Sequence, residues 1–311
     1  MKKRKVKKQV WMILIIIILV VIALIVGVKY IQYQNSLPYK LKEIGYTKEE
    51  IKTIETLDKK QIDTILKKDY MSSFTKFLNE KYFIFENLDR YLAYQEKHKK
   101  DALSHIISIV NVGADQEFYT NTKKTDVSKD NLMLVNKYNQ LGKDYKPDDL
   151  VSVSIQYAYG TNEIRKEVYD KFRSMFNAAK KEDLTLIITS SVRDYDYQDT
   201  LWNSYSNQKG EEWADSVAAR PGFSEHQTGL SLDIVTYNAG MSNFENTKEF
   251  AWLQEHAHEY GFIMRYPKDK EDITGYSYES WHYRYVGEEV AKKIKDLGIT
   301  FDEYYAYYIA Q

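Results

Sequence analysis

Cysteine is absent from the 311 residues, which excludes disulfides and thiolate metal ligands. Proline (4) and glycine (13) are scarce, so long loop-rich or low-complexity stretches are excluded and most of the chain is folded. Histidine is scarce as well, with 6 residues, which makes the search for an imidazole-based site a short one. What is abundant is tyrosine, at 28 residues, a side chain that serves polar clefts, interfaces and cores alike.

Charge is missing from one long stretch. Val10 to Val28 holds 19 residues without a single charged side chain. At 1.5 Å per residue it reaches about 28 Å, close to the hydrocarbon thickness of a bilayer. Lys2, Lys3, Arg4, Lys5, Lys7 and Lys8 precede it and no acid does. The positive-inside rule then places residues 1–9 in the cytoplasm as a basic tail and everything after Lys29 outside. The run is long for a cleaved signal peptide and no A-x-A-like site follows, so residues 10–28 are expected to be a retained signal anchor in the cell membrane. Six of the 44 Lys and Arg sit in that tail, leaving 38 against 45 acids, a net charge near −7. An acidic exterior is a poor nucleic-acid binder. A disulfide-free exported chain suits a Gram-positive surface.

Residues 29–105 read as a helical stalk or accessory region, with a wall- or partner-binding module as the alternative. Thr47 and Glu50 fit a capping box. Lys48 to Ile54 and Lys59 to Ile65 share the pattern K-x-x-I-x-T-I, 11 residues apart, as two short amphipathic helices in tandem would. Asn87 to Lys99 reads as a further helix. From Ile106 the texture changes, and the run from His105 to Val112 has the composition of a strand. Asn139 to Val153 carries a loop signature. Thr161 to Glu182 reads as an amphipathic helix, leading into a short buried strand within Leu184 to Arg193. Asn246 to Gly261 is another helix, and Trp281 to Gly287 a last strand. This mixed order, with few βαβ repeats, predicts an α+β domain over residues 106–311.

Among the histidines, His98 lies in a charged run and His105 has no acidic neighbour that would make a site. His256 and His258 sit two apart on a helix, so their side chains diverge by about 200°. His226 has Asp233 seven residues on, with Gly229 between them to permit a bend. Within Gly229 to Val235, Leu230, Leu232 and Ile234 alternate with Ser231, Asp233 and Val235, and a strand would bury the first set and present Asp233 on the opposite face. His282 has Glu279 three residues before it. A catalytic zinc takes three protein ligands and a water, with a carboxylate base beside the water but off the metal. E-x-x-H can supply both only if Glu279 sits in the loop before the strand, because in a regular strand the two would face opposite ways.

The segments from Ala219 to Ile234 and from Glu279 to Gly287 resemble the VanY-type D-alanyl-D-alanine carboxypeptidases, zinc D,D-peptidases that trim peptidoglycan stem peptides. The pattern is S-x-H-x-x-G-x-x-x-D followed downstream by E-x-W-H. The likeness covers roughly Val110 to Gly287 and includes Phe262 to Pro267. It implies a zinc D,D-peptidase-like domain with a small antiparallel sheet and flanking helices. It also implies Zn²⁺ held by His226, Asp233 and His282, with Glu279 as catalytic base. Arg193, in the Ser190 to Gln198 segment, matches the arginine that polarises the substrate carbonyl. Ser224 and Gln198 match substrate-binding positions. The family often reads S-G-Y-R-S where this chain has Ser190, Ser191, Val192, Arg193 and Asp194, which bears on the substrate pocket and leaves the ligand set intact.

The expected activity is hydrolysis of the terminal D-Ala-D-Ala bond of peptidoglycan stems by a membrane-anchored enzyme. Two alternatives stand beside it: an L,D-carboxypeptidase acting on tetrapeptide stems, and a non-catalytic wall-binding protein of the same fold. A serine peptidase is the weaker rival. Ser73 and Lys76 match S-x-x-K, but neither K-T-G nor S-D-N follows.

Overall fold

A computed structural model describes residues 2–310. Met1, Gln311 and the side chains of residues 2–6, which include four of the six leading cations, lie outside the described residues. The chain divides into two compact units, Met1–Leu92 and Ala93–Gln311.

The first unit opens with a helix over Lys2–Gln34 whose large apolar side chains from Val10 onward are exposed. Among the described residues its Lys7–Gln34 portion, which contains an 18-residue window of mean hydropathy 3.5, is the one span long and apolar enough to cross a membrane. At 1.5 Å per residue it covers about 42 Å, enough for the hydrocarbon core and both headgroup layers. Short helices follow. Lys48–Ile54 and Lys59–Ile65 each begin in a complete capping box, Thr47 with Glu50 and Asp58 with Gln61, and the two N-caps share φ −70° and ψ 165°. The 11-residue echo is therefore a structural repeat, each copy delivering an isoleucine (Ile54, Ile65) to a core that also holds Leu41, Tyr46, Ile51, Phe74 and Leu88.

The second unit is built on a four-stranded antiparallel sheet in the order Ile187–Ser190, Ser231–Val235, His282–Tyr285, Phe262–Met264. The Ser231–Val235 strand is buried along its whole length, so both faces are covered. Leu232, Ile234 and Tyr283 join the main core, which also takes Val168, Phe172, Met175 and Phe176 from the helix Lys166–Lys180. Alternation then carries Ser231, Asp233, His282 and Arg284 to the other face. The last two helices, Glu288–Leu297 and Phe301–Tyr308, close a smaller cluster around Ile263, Val286 and Phe301.

Two expectations from the sequence are corrected. The apolar run after His105 is a helix, Leu103–Val112, not a strand. Its β-branched composition suggests a strand, but Ile106, Ile107, Ile109 and Val110 are buried at helical spacing and Gly113 closes the helix in the left-handed region at φ +88°. The helix expected from Thr161 begins at Lys166, because Glu163–Arg165 pairs antiparallel with Leu150–Ser152.

Gly229 ends the turn that carries His226, at φ +69°. A Cβ there would meet Arg165 Cγ at 2.9 Å and Leu150 Cδ2 at 3.2 Å. Left-handed backbone and overpacking add, so Gly229→Ala should destabilise the second unit by about 2–4 kcal/mol. Urea unfolding followed by tryptophan fluorescence would measure it.

Candidate active site

Strand register brings the first two polar groups together. Asp233 pairs with His282 across one strand boundary and with Ser190 across the other. The third group arrives on a turn. Ser224 accepts a hydrogen bond from the His226 amide at 3.4 Å and opens a 3-10 turn, Glu225–Thr228, which Gly229 ends, so the chain doubles back and His226 meets the sheet face that carries Asp233.

The donor atoms of His226, Asp233 and His282 all lie within 4.8 Å of one another, and the three residues are buried. His226 Nε2 is 3.5 Å from Asp233 Oδ1, and His282 Nδ1 is 3.3 Å from the same oxygen. With bonds of about 2.0–2.1 Å, a tetrahedral metal site has ligand–ligand edges of about 3.3 Å. The spacing fits such an ion. Polar bookkeeping agrees, because Asp233 Oδ1 is buried and has no hydrogen-bond partner. The His226 Nδ1 lies 2.5 Å from the Ser191 carbonyl, so this nitrogen carries the proton and Nε2 keeps its lone pair for the cluster.

The two imidazoles titrate in opposite directions. Burial, helped by the Arg193 charge, pushes His226 down to about 4. Burial also works against the charged form of His282, but the nearby Asp233 and Glu225 carboxylates overcome it and push this ring up to about 9. A pocket that retains a proton so strongly is electronegative, and a metal ion is what such a proton yields to. Asp233 is held well below the usual carboxylate range: burial opposes its ionisation, but the two histidines and Arg193 outweigh it.

Glu279 stands in the loop before the His282–Tyr285 strand, its amide bonded to the Tyr266 carbonyl at 3.1 Å. Its Oε2 lies 3.5 Å from His282 Nδ1, beside the donor cluster but outside the group of three. Burial lifts its carboxyl to about 7, with the Asp233 charge adding and His282 and Arg193 opposing. Arg193 donates from Nη2 to Asp233 Oδ2 at 2.6 Å and from Nε to Ser190 Oγ at 2.8 Å. It is thus an ion-pair partner of the cluster, with further guanidinium donors to spare. All these residues line one cleft of about 320 Å³, together with Gln198 and Ser224. Gln198 donates from Nε2 to the Ala219 carbonyl, leaving a buried Oε1 without a partner, whereas the Ser224 hydroxyl is taken up by its own turn. The remaining histidines stand apart from this group. His105 pairs with Asp272 at 2.9 Å and His256 with Glu259 at 3.3 Å.

A buried ionic network behind His282 was not legible from spacing. Glu225 Oε1 accepts from Arg265 Nε and from Arg284 Nη1, both at 2.8 Å, and its Oε2 faces His282 Nε2 at 3.7 Å. Arg265 also grips Asp302 at 2.5 Å, which in turn accepts from Asn136 at 2.8 Å. The available signal was charge where the pattern demands apolar residues: Arg265 just past a strand of Phe, Ile and Met, and Arg284 two residues beyond His282 on the same face.

Residues 161–288 match the family profile described as VanY: D-alanyl-D-alanine carboxypeptidase. The provisionally named carboxypeptidase YodJ of Bacillus subtilis is 41% identical over 61% of this chain and 75% of its own length. The chain belongs to the VanY carboxypeptidase family. A D-alanyl-D-alanine carboxypeptidase of Enterococcus faecium is 34% identical over 58% of this chain and 59% of its own length. Among solved structures, the LdcB LD-carboxypeptidase is 40% identical and superposes with a TM-score of 0.57, over 60% of this chain and 91% of that one. The VanY-family match spans the strands, turn and loop that carry His226, Asp233, Glu279 and His282.

Glu225 in this VanY-family fold ties pH to stability. Burial opposes its ionisation, but Arg265 and Arg284 hold its carboxyl far below the usual range. Its contribution is present above the unfolded pKa, near about 4.3, and is lost as pH falls towards the folded value. Glu225→Gln leaves Arg265 facing Asp302 and Arg284 facing only main-chain carbonyls, those of Tyr285, Asn131 and Met133. It should destabilise the second unit by about 3–5 kcal/mol at pH 7 and flatten its acid-unfolding profile. Denaturant titrations at a series of pH values would show both.

Proposed function

We propose that this protein is a membrane-anchored zinc D,D-carboxypeptidase that removes the terminal D-alanine from peptidoglycan stem peptides. The observation that carries the reading is the convergence of His226, Asp233 and His282, with both imidazoles 3.3–3.5 Å from Asp233 Oδ1 and all donor atoms within 4.8 Å, and Glu279 beside them but outside the set. Two neutral imidazoles and one carboxylate oxygen are a donor set that zinc favours. Zinc, when bound, supplies Lewis acidity to the scissile carbonyl and acidifies water towards neutrality.

The chain's own groups do the rest. Glu279 takes the proton from the attacking water and returns it to the leaving amine. A carboxyl lifted to about 7 by burial suits a group that must act as base and then acid near neutral pH. Arg193, steered by Ser190 and Asp233, directs its remaining donors at the oxyanion, whose charge most needs stabilising. Gln198 Oε1, buried and unpartnered, accepts an N–H of the bound peptide. Ser224 acts mainly by shaping the turn under His226.

The apolar helix at Lys7–Gln34 serves as the anchor, with the basic end in the cytoplasm and the second unit outside. The helical segments after it serve as a spacer. Cleavage of the L,D bond of a tetrapeptide stem is the second reading, supported by the 40% identity to the LdcB LD-carboxypeptidase.

Glu279→Gln should lower turnover at least about 10³-fold while leaving one zinc bound, which activity assays and metal analysis would check. Retained activity removes the base assignment. The full-length chain with zinc should release D-alanine from a pentapeptide stem faster than from a tetrapeptide stem, as read by mass spectrometry. The reverse preference would establish the L,D reading.

A further inference from the structure

Lys137 is a cation buried where the reaction does not use it. It is 1% exposed. Its ammonium lies 4.1 Å from the Phe118 ring centre, 4.6 Å from that of Tyr276 and 5.8 Å from that of Tyr119. Its one hydrogen bond goes to the main-chain carbonyl of Asp215, at 2.7 Å. The Asp215 carboxylate is engaged elsewhere, by Arg220 at 2.8 and 2.9 Å and by the Trp202 indole at 2.9 Å. Room for the lysine stem comes from Gly275, where a Cβ would stand 3.1 Å from Lys137 Cδ.

Two segments that line the catalytic cleft meet at this ammonium. Asp215 lies in the helix Glu211–Val217, and Val217, Ala218 and Ala219 line the cleft. Tyr276 lines it too, three residues before Glu279. The Ser277 amide also reaches across to the Ser216 carbonyl at 3.1 Å. From Tyr276 ring contacts continue inward, to Tyr266 at 4.8 Å and from Tyr266 to His282 at 4.9 Å. Burying an ammonium is unfavourable unless its partners compensate, and here they are aromatic faces and a carbonyl drawn from both segments.

We propose that Lys137 is a positioning residue that clamps the Val217–Ala219 wall to the Tyr276–Glu279 loop and so sets the width of the cleft for the end of the peptide. This rests on the carboxypeptidase reading above. The Lys137 ammonium itself touches neither the donor cluster nor Arg193, so its removal is expected to act first on substrate fit.

The test is Lys137→Met in the full-length chain. It keeps the length and apolar contacts of the stem but removes the charge and the hydrogen bond. KM for a pentapeptide stem should rise about tenfold, with kcat within about threefold and zinc content unchanged. A merely structural lysine would lower the melting temperature and leave KM where it was, and that result overturns the proposal. Phe118→Leu decides the matter if Lys137→Met does not fold. Phe118 is 40% exposed and outside the cleft, and opening its side of the cage to water should raise KM about two- to threefold. An unchanged KM in that variant overturns the proposal as well. A wild-type chain that hydrolyses no stem peptide removes the carboxypeptidase reading and this role with it. A wild type that turns over, with variant KM values equal to its own, removes this role alone.

Discussion

The second unit's site depends on one carboxylate divided between two tasks. Asp233 gives Oδ2 to Arg193 and turns Oδ1 towards both imidazoles. That division exists because Asp233 sits on an inner strand, with Ser190 beside it on one neighbour and His282 on the other. A slip of one residue in either pairing would turn Asp233 or its partner to the opposite face and leave a guanidinium and two imidazoles without their shared anion. The apolar half of the alternation guards against such a slip. Leu232, Ile234 and Tyr283 would have to leave the main core at the same moment. Hydrophobic burial thus enforces a register whose chemical purpose is polar.

Charge of alternating sign then extends inward from that carboxylate. Arg193 faces Asp233, Asp233 faces His282, His282 faces Glu225, and Glu225 lies between Arg265 and Arg284. Asp302 answers Arg265 from the last helix. Each buried ion has a neighbour of opposite sign, which is the condition for tolerating them in an interior at all. The sequence of contacts also has a direction. Glu225 Oε2 and His282 Nε2 face each other at 3.7 Å and both lack a closer hydrogen bond, so the outer nitrogen of this imidazole is oriented by a carboxylate while its inner nitrogen serves the cluster. Asp302, near the end of the chain, steadies through two intermediates a ring whose strand begins 20 residues earlier.

Legibility followed the range over which a signal is written. The apolar span at residues 10–28 and the capping box at Thr47 are local, and a short window of sequence contains all of their cause. The donor residues were legible for a different reason. With 6 histidines and no cysteine, the candidates could be eliminated one by one, and motif order supplied the rest. The ionic network escaped because nothing local distinguishes Glu225, Arg265 and Arg284 from surface charges. Their burial is decided by which helix and strand pack over them. The segment after His105 failed in the opposite way. Its composition is strongly local but ambiguous, since isoleucine and valine suit a buried helix as well as a strand once tertiary packing supplies the partners.

The proposed separation between holding a metal and moving a proton has a backbone counterpart. Asp233 and His282 are fixed by hydrogen-bonded strands, and His226 by a capped turn with its Nδ1 tied to a main-chain carbonyl. Each therefore keeps its donor atom in a narrow range, as a tetrahedral ion requires. Glu279 is held differently. Were the strand to extend back to it, the spacing E-x-x-H would send its side chain to the apolar face, away from His282. Because the strand starts at His282, the chain is free to bend, and the carboxylate comes to 3.5 Å from the imidazole nitrogen without joining the donor set. A ligand gains from rigidity, but a group that must accept a proton on one side of the reaction and deliver it on the other needs some travel. The strand boundary between Glu279 and His282 provides both conditions within four residues.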